Sequence, residues 1–241
     1  MDSVEQARVL DAVKTWFRNV IVVNHIKNTR KLANASQFNI NPFLAPYLAG
    51  FLEGELTAHS LARALLYPRV LGTSITTSFG QNMQSFISDV LKTSFGSMIP
   101  GMDIEFVDAI DGRRKYCQAK LGPNTLNKDD VDTIDRHFKS AANLAKTNKL
   151  KLQHGDLVIG ILYGENGQES NHYQKLRDHH GYELYIGADF WHRLTGEENF
   201  YRHLIDAIAD VAAEAKGSIL IEEIAEKLAS KKKIRRLAGE E

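Results

Sequence analysis

The stretch Asp103-Ile-Glu-Phe-Val-Asp-Ala-Ile110, Asp111-Gly112, Arg113-Arg-Lys-Tyr-Cys-Gln-Ala-Lys-Leu121 decides the fold. Apolar and polar residues alternate at period 2 on both sides of an Asp-Gly pair, the pair favoured in a two-residue type I′ turn. It reads as an antiparallel hairpin with strands over 102–110 and 113–121. With Asp111 and Gly112 as the loop, Ile110 faces Arg113, Asp103 lies opposite Lys120, and Glu105 lies opposite Gln118. Side chains alternate across a strand, so these last four leave from one face. Ile104, Phe106, Ile110, Cys117, Ala119 and Leu121 leave from the other, which is core. A slip of one residue would scramble both faces at once.

Before the hairpin the pattern is helical. Val9, Leu10, Val13, Trp16, Phe17, Val20 and Ile21 recur at helical spacing over 3–27, with Ser3 as the cap and Gln6 in the reciprocal capping position. Asn39 to Pro42 is a turn. Helices follow over 43–52 and over 56–66, the latter ending before Tyr67-Pro68. Another covers 76–93, with Phe79, Met83, Phe86, Ile87, Val90 and Leu91 on its apolar side. After the hairpin, Asn127 caps a helix over 128–147 whose buried stripe is Val131, Ile134, Phe138 and Ala142. Residues 156–163 are apolar enough for a central strand and 164–181 form a polar, Gly-marked connection. A short strand over 182–187, a helix over 198–215 and a mixed-charge helix complete the order. This is an α/β chain, a mixed central sheet flanked by helices, with a helical N-terminal region. Residues 1–95 form that region, and 96–241 the core with C-terminal helices.

Composition bounds what such a chain does. At 241 residues, 43% hydrophobic and 25% charged, it is an ordinary globular protein with room for a sizeable core. No apolar run reaches the ~20 residues of a membrane span, and Met1-Asp2-Ser3 opens no secretory signal. One cysteine, Cys117, excludes an internal disulfide and a Cys-rich zinc module, so a cytoplasmic setting is expected. Thirty basic residues against thirty acidic ones exclude a polyanion-coating protein. The balance is uneven along the chain, however. Residues 111–153 hold ten basic against five acidic residues, and 154–216 hold five against eleven. A local basic cleft is compatible with overall neutrality.

On the polar hairpin face, Asp103 and Glu105 are hard oxygen donors suited to Mg²⁺. The Ala119 carbonyl and the Gln118 amide oxygen add neutral donors, and Lys120 can stabilise charge or orient a water. Such a set hydrolyses phosphodiesters; a solvated sheet face with cross-strand ion pairs has the same pattern. Asn124, Thr125, Asn127 and Lys128, leaving the second strand, are candidate DNA contacts or an ordinary Gly-Pro turn with an Asn cap. In the connection, Asn171, Lys175 and Arg177 suit base or phosphate contacts, although any exposed loop has this composition. His172, His179 and His180 lack the spacing of a zinc site. Phe190-Trp191 and Phe200-Tyr201 are core anchors. The run Lys231 to Arg236 is either a phosphate contact or a solvated tail.

Asp103 with Gln118-Ala119-Lys120 resembles the signature of the PD-(D/E)xK nuclease superfamily. Three longer strings narrow it: Gly101-Met-Asp-Ile-Glu-Phe106; Lys115-Tyr-Cys-Gln-Ala-Lys-Leu-Gly-Pro-Asn-Thr125 with Asn127-Lys-Asp-Asp130; and Asp189-Phe-Trp-His-Arg-Leu-Thr-Gly196 with Asn199-Phe-Tyr201. Together they resemble type II restriction endonucleases that cut GGNCC-type interrupted palindromes. The resemblance implies a Mg²⁺-dependent homodimer that cuts both strands of double-stranded DNA, leaves 5′-phosphates, and has a companion methyltransferase, with the helical region over residues 1–95, packed on the core, as the candidate for dimerisation or for embracing DNA. It makes Asp103 the metal ligand and Lys120 the catalytic lysine. Gln118 stands where an acid is usual, with Glu105 as the residue that could substitute, and Pro100 stands three positions before Asp103 instead of one. A structure-specific repair or recombination nuclease and a non-catalytic DNA-binding domain are the alternatives.

Overall fold

Strand-forming residues cluster between 94 and 186, and helix-forming ones surround them. The computed structural model describes residues 2–90, 94–96, 99–149 and 151–240. Strands β1 (Ser94–Gly96), β2 (Ile104–Val107), β3 (Arg114–Lys120), β4 (Leu157–Ile161) and β5 (Glu183–Ile186) stand in that order in one sheet. β1, β2 and β3 are antiparallel, whereas β3, β4 and β5 are parallel. The mixture follows from the connections: a tight loop joins antiparallel neighbours, while parallel neighbours need a crossover.

The helices are α1 (Ser3–Trp16), α2 (Val23–Lys31), α3 (Leu44–Glu53), α4 (Ala58–Pro68), α5 (Ile75–Val90), α6 (Lys128–Thr147), α7 (Asn171–Asp178), α8 (Ala188–Thr195), α9 (Phe200–Glu214), α10 (Gly217–Ala229) and α11 (Lys232–Ala238). Crossover helices α6 and α7 bury Val131, Ile134, Phe138, Tyr173 and Leu176 with Leu157, Ile159 and Ile161 of β4. Beyond the opposite face, Phe190 of α8 meets Phe106 edge-on at 6.3 Å. A Cβ at Gly160 would lie 2.4 Å from the Phe190 ring and 2.9 Å from the Cys117 sulfur. Both faces are therefore covered, and β4 is buried along its whole length.

The hairpin pairs differently from the two-residue turn. Ile104 faces Cys117, Glu105 faces Tyr116, and Val107 faces Arg114. Asp103 therefore stands beside Gln118, not Lys120. β2 ends at Val107; the next residue, Asp108, is on the core face with Ile104 and Phe106, is fully buried, and its Oδ2 accepts a hydrogen bond from Arg193 Nη1 at 2.8 Å. The Ala109 N–H donates to the Arg193 carbonyl, and the Asp108 N–H to the Arg113 carbonyl. Residues 109–112 thus form a four-residue loop, which leaves Ile110 exposed instead of in the core. The shift is two residues, the side-chain period, so Asp103, Glu105, Gln118 and Lys120 still share a face.

Other differences are local. Asp2, not Ser3, caps α1, its Oδ1 accepting from the Glu5 N–H at 2.7 Å, and the Gln6 side chain reaches His203. α4 runs through Pro68 and continues as a π-helical turn, Arg69–Ser74, into α5. Pro68 cannot donate backward, and the helix widens directly after it instead of ending. Phe86 and Ile87 are buried as the stripe predicts, while Leu91 lies outside the described residues. The 164–181 connection contains α7, and the terminal basic run folds as α11 around buried Ile234. The chain forms two compact units, Met1–Val13 with Met83–Ala207 and Lys14–Asn82 with Ile208–Glu241. The C-terminal helices therefore group with residues 14–82 and not with the sheet. In that unit Ala49, Leu61 and Leu66 pack with Ile224, Leu228 and Ile234.

Arg193 also lies over the Tyr185 ring at 4.2 Å. Arg193→Ala leaves Asp108 as a buried charge without its cation, which costs about 3–5 kcal/mol. The expected outcome is a lower urea midpoint with an unchanged slope, and a smaller loss for Arg193→Lys.

Candidate active site

The Asp103 N–H donates to the Cys117 carbonyl at 2.9 Å. Asp103 Oδ2 accepts from the Ala119 N–H at 2.8 Å. The carboxylate is thus clasped onto β3 one residue before Lys120. Burial pushes the Asp103 carboxyl above its ordinary pKa; the Ala119 N–H and Lys120 oppose the shift without cancelling it. An acid held this way gains from a neighbouring cation.

Gln118 is buried, and His137 of α6 accounts for how it is held. The Gln118 Nε2 donates to the Gly101 carbonyl and lies 2.8 Å from His137 Nδ1. A carbonyl oxygen only accepts, so the Gly101 contact fixes which end of the amide is nitrogen. His137 Nδ1 must then accept, which places the ring proton on Nε2. The amide oxygen is left as the donor atom available to a cation or a water. Gly101 is required twice over: its φ is +87°, and a Cβ there would lie 2.4 Å from the His137 ring. Sequence reasoning missed His137. The signal was its place three residues after Ile134 and four before Ala141, on the edge of the buried stripe of α6.

Glu105 stands opposite Tyr116, toward the loop, where Arg114 Nη1 approaches it at 3.3 Å. Much of the basic surplus of residues 111–153 is similarly matched. Arg113 pairs with Asp156, Lys115 with Asp111, and Lys139 with Asp135. Despite its burial, the bond from Arg113 holds Asp156 below the usual carboxylate range.

Past β3, the Gly122 carbonyl accepts from Thr125 Oγ1 and from the Tyr173 hydroxyl, each at 2.9 Å. Asn124 and Lys128 are exposed at the start of α6, but the Asn127 side chain is committed to a capping box with Asp130. Asn171 and Lys175 are exposed on α7. Arg177 is held between Glu169 and Asp178 at 2.7 and 2.8 Å. His180 bonds Asp135, and no group of three His, Cys, Asp or Glu side chains suited to a metal occurs among the described residues. The string 189–196 is structural: Arg193 holds the hairpin loop, and Trp191 Nε1 donates to the Leu162 carbonyl at 2.8 Å.

A mixed sheet whose antiparallel hairpin carries Asp103 and Lys120, and whose second hairpin strand continues into parallel pairing between helices, is a restriction-endonuclease-like α/β core. The family model of type II restriction endonuclease EcoO109I matches residues 11–216, and the chain belongs to that family. It is a type II site-specific deoxyribonuclease, a hydrolase acting on double-stranded DNA. No curated protein matches the chain. Among the described residues no helix is long and apolar enough to cross a membrane.

Two outcomes follow from the geometry. His137→Asn, whose side-chain oxygen can accept in place of Nδ1, retains most DNA cleavage, whereas His137→Ala slows it about tenfold, the worth of one lost orienting hydrogen bond. Because burial raises the Asp103 pKa, the protonated form is the one the fold favours. Its contribution to stability is present in acid and lost as pH rises through the raised pKa. Asp103→Asn removes that loss. In thermal melts without divalent metal, the variant should be the more stable protein at neutral pH, and the advantage should vanish in acid.

Proposed function

We propose that this enzyme hydrolyses one phosphodiester in each strand of an interrupted palindrome of the GGNCC type, with Mg²⁺, leaving 5′-phosphates. The observation that carries this is the clasp of Asp103 onto β3 beside Lys120. The residues fit the ion: Mg²⁺ commonly takes one or two carboxylates and completes its shell with waters and substrate phosphate. Here Asp103 is a partly desolvated carboxylate whose charge burial disfavours. Asp103 would hold the ion, with the Ala119 carbonyl and the Gln118 amide oxygen as neutral donors. When bound, the ion supplies Lewis-acid neutralisation of charge on the phosphate.

The chain's own groups do the rest. The Lys120 ammonium, next along β3 from the Ala119 clasp, orients the attacking water and balances charge on the phosphoryl oxygens. His137 holds the Gln118 amide in one orientation. Glu105 is engaged with Arg114, which leaves the second donor position to Gln118. Asn124, Thr125, Lys128, Asn171 and Lys175 are the proposed DNA contacts, while the ion pairs of Arg177 and the capping role of Asn127 make these two positioning residues. A two-fold site is matched by a two-fold protein, so the working form is a homodimer. It acts in the cytoplasm, where a companion methyltransferase protects the host's own sites.

The test is digestion of phage and plasmid DNA with Mg²⁺ or with EDTA. Discrete fragments with ligatable 5′-phosphates are expected, in the Mg²⁺ arm only. Asp103→Ala and Lys120→Ala should each slow cleavage at least about hundredfold with the fold intact by circular dichroism. Full activity in either variant would place the chemistry elsewhere.

A further inference from the structure

The face of β3 that carries Gln118 and Lys120 continues past the end of the strand. Gln118 pairs with Ile159 and Lys120 with Ile161 across the parallel β3–β4 ladder, and residues paired in this way leave from the same face. Two residues on, the row reaches Gly122 and Tyr163. Ile159 and Ile161 are buried in the cluster formed with α6 and α7, whereas Tyr163 is 48% exposed. Its phenol lies where Gly122 lacks a side chain: a Cβ there would come within 2.4 Å of the Tyr163 Cζ and 2.5 Å of its hydroxyl oxygen. The ring thus crosses from β4 to β3 and ends over the residue two beyond Lys120.

The seat of this ring is fixed. The Leu162 N–H donates to the Lys120 carbonyl at 3.0 Å, and the Leu162 carbonyl accepts from Trp191 Nε1 at 2.8 Å. On β3's side, the Gly122 carbonyl is held by Thr125 and by the buried Tyr173. The backbone is pinned on both sides of the ring, yet the Tyr163 hydroxyl makes no hydrogen bond among the described residues.

We propose that Tyr163 is a DNA contact whose hydroxyl donates to the phosphate next to the scissile one. The Gly122 Cα lies at most about 7 Å from that of Lys120. The phenol is therefore one strand step from the ammonium on the same face, a step of the same order as one nucleotide of DNA backbone. A phenol donates one hydrogen bond and carries no charge. It suits a phosphate that is held in register but not cut. The inference rests on Asp103 and Lys120 marking the cleavage site.

Duplexes with a single methylphosphonate at either neighbour of the scissile phosphate test it, the cut position being taken from the digestion above. This substitution removes the charge and one free oxygen of one phosphate. In single turnovers with Mg²⁺, Tyr163→Phe should cut the unmodified duplex about tenfold more slowly, the worth of a hydrogen bond to a charged group, with its melting temperature unchanged. At one of the two positions the methylphosphonate should slow the wild type by a similar factor and Tyr163→Phe no further, because both changes remove the same contact. Losses that multiply at both positions overturn the contact, as does a Tyr163→Phe rate within about twofold of wild type. A loss confined to Tyr163→Ala would instead make the ring a prop for the Gly122 turn. Full cleavage by Asp103→Ala or Lys120→Ala overturns the site and this contact together. Inactive Asp103→Ala and Lys120→Ala beside an unimpaired Tyr163→Phe overturn the contact alone.

Discussion

The buried ion pair between Asp108 and Arg193 ties the loop end of the central hairpin to the helix that follows β5. Asp108 has no exposure, so its charge needs a partner inside the protein, and Arg193 reaches it from α8 at 2.8 Å. Strand alternation puts the carboxylate on the core face with Ile104 and Phe106; the Asp108 N–H still meets the Arg113 carbonyl, and only from Ala109, whose N–H turns to the Arg193 carbonyl, does the chain leave the hairpin. In the register that includes this pair, Asp103 lies beside Gln118 with its carboxylate on the Ala119 N–H. The same hairpin therefore carries a buried ion pair at its loop end and the Asp103 clasp at the other.

The site shows a familiar opposition between stability and chemistry. Asp103 is partly desolvated, and Gln118 is buried beneath α6 with both amide hydrogens committed. Neither arrangement is what a fold selected for stability alone would keep. The restraint is also rigid. A carbonyl, an amide and an imidazole fix one another's orientation in series, beginning from a glycine whose conformation and crowding admit no side chain.

Much of this was legible in the sequence, and the failures have definite causes. The polar face of the hairpin was assigned correctly although its pairing was off by two residues, because the face depends only on the parity of the register. What sequence alone did not show was that the charge of Asp108, on the core face by the same parity, is met by an arginine 85 positions away. The helix over 128–147 was read to its ends because its signals are local: an Asn cap, acids in the first turn, a stripe at helical spacing. Pro68 misled because a π turn lets a helix pass a proline that local rules treat as a stop. The capping glutamine of the first helix failed for a similar reason, since a tertiary partner, His203, claimed it. His137 stayed hidden because a polar residue on the edge of a buried stripe has meaning only once the strand beneath it is placed.

The amide at position 118 has an electrostatic consequence for the first encounter with DNA. With two carboxylates at the site, a lone lysine leaves a net negative charge that repels the phosphate backbone until a cation arrives. Here Asp103 is balanced by Lys120, and Glu105 by Arg114. Under the proposed mechanism, a phosphate brought to Asp103 and Lys120 would meet a locally neutral surface before any cation is bound.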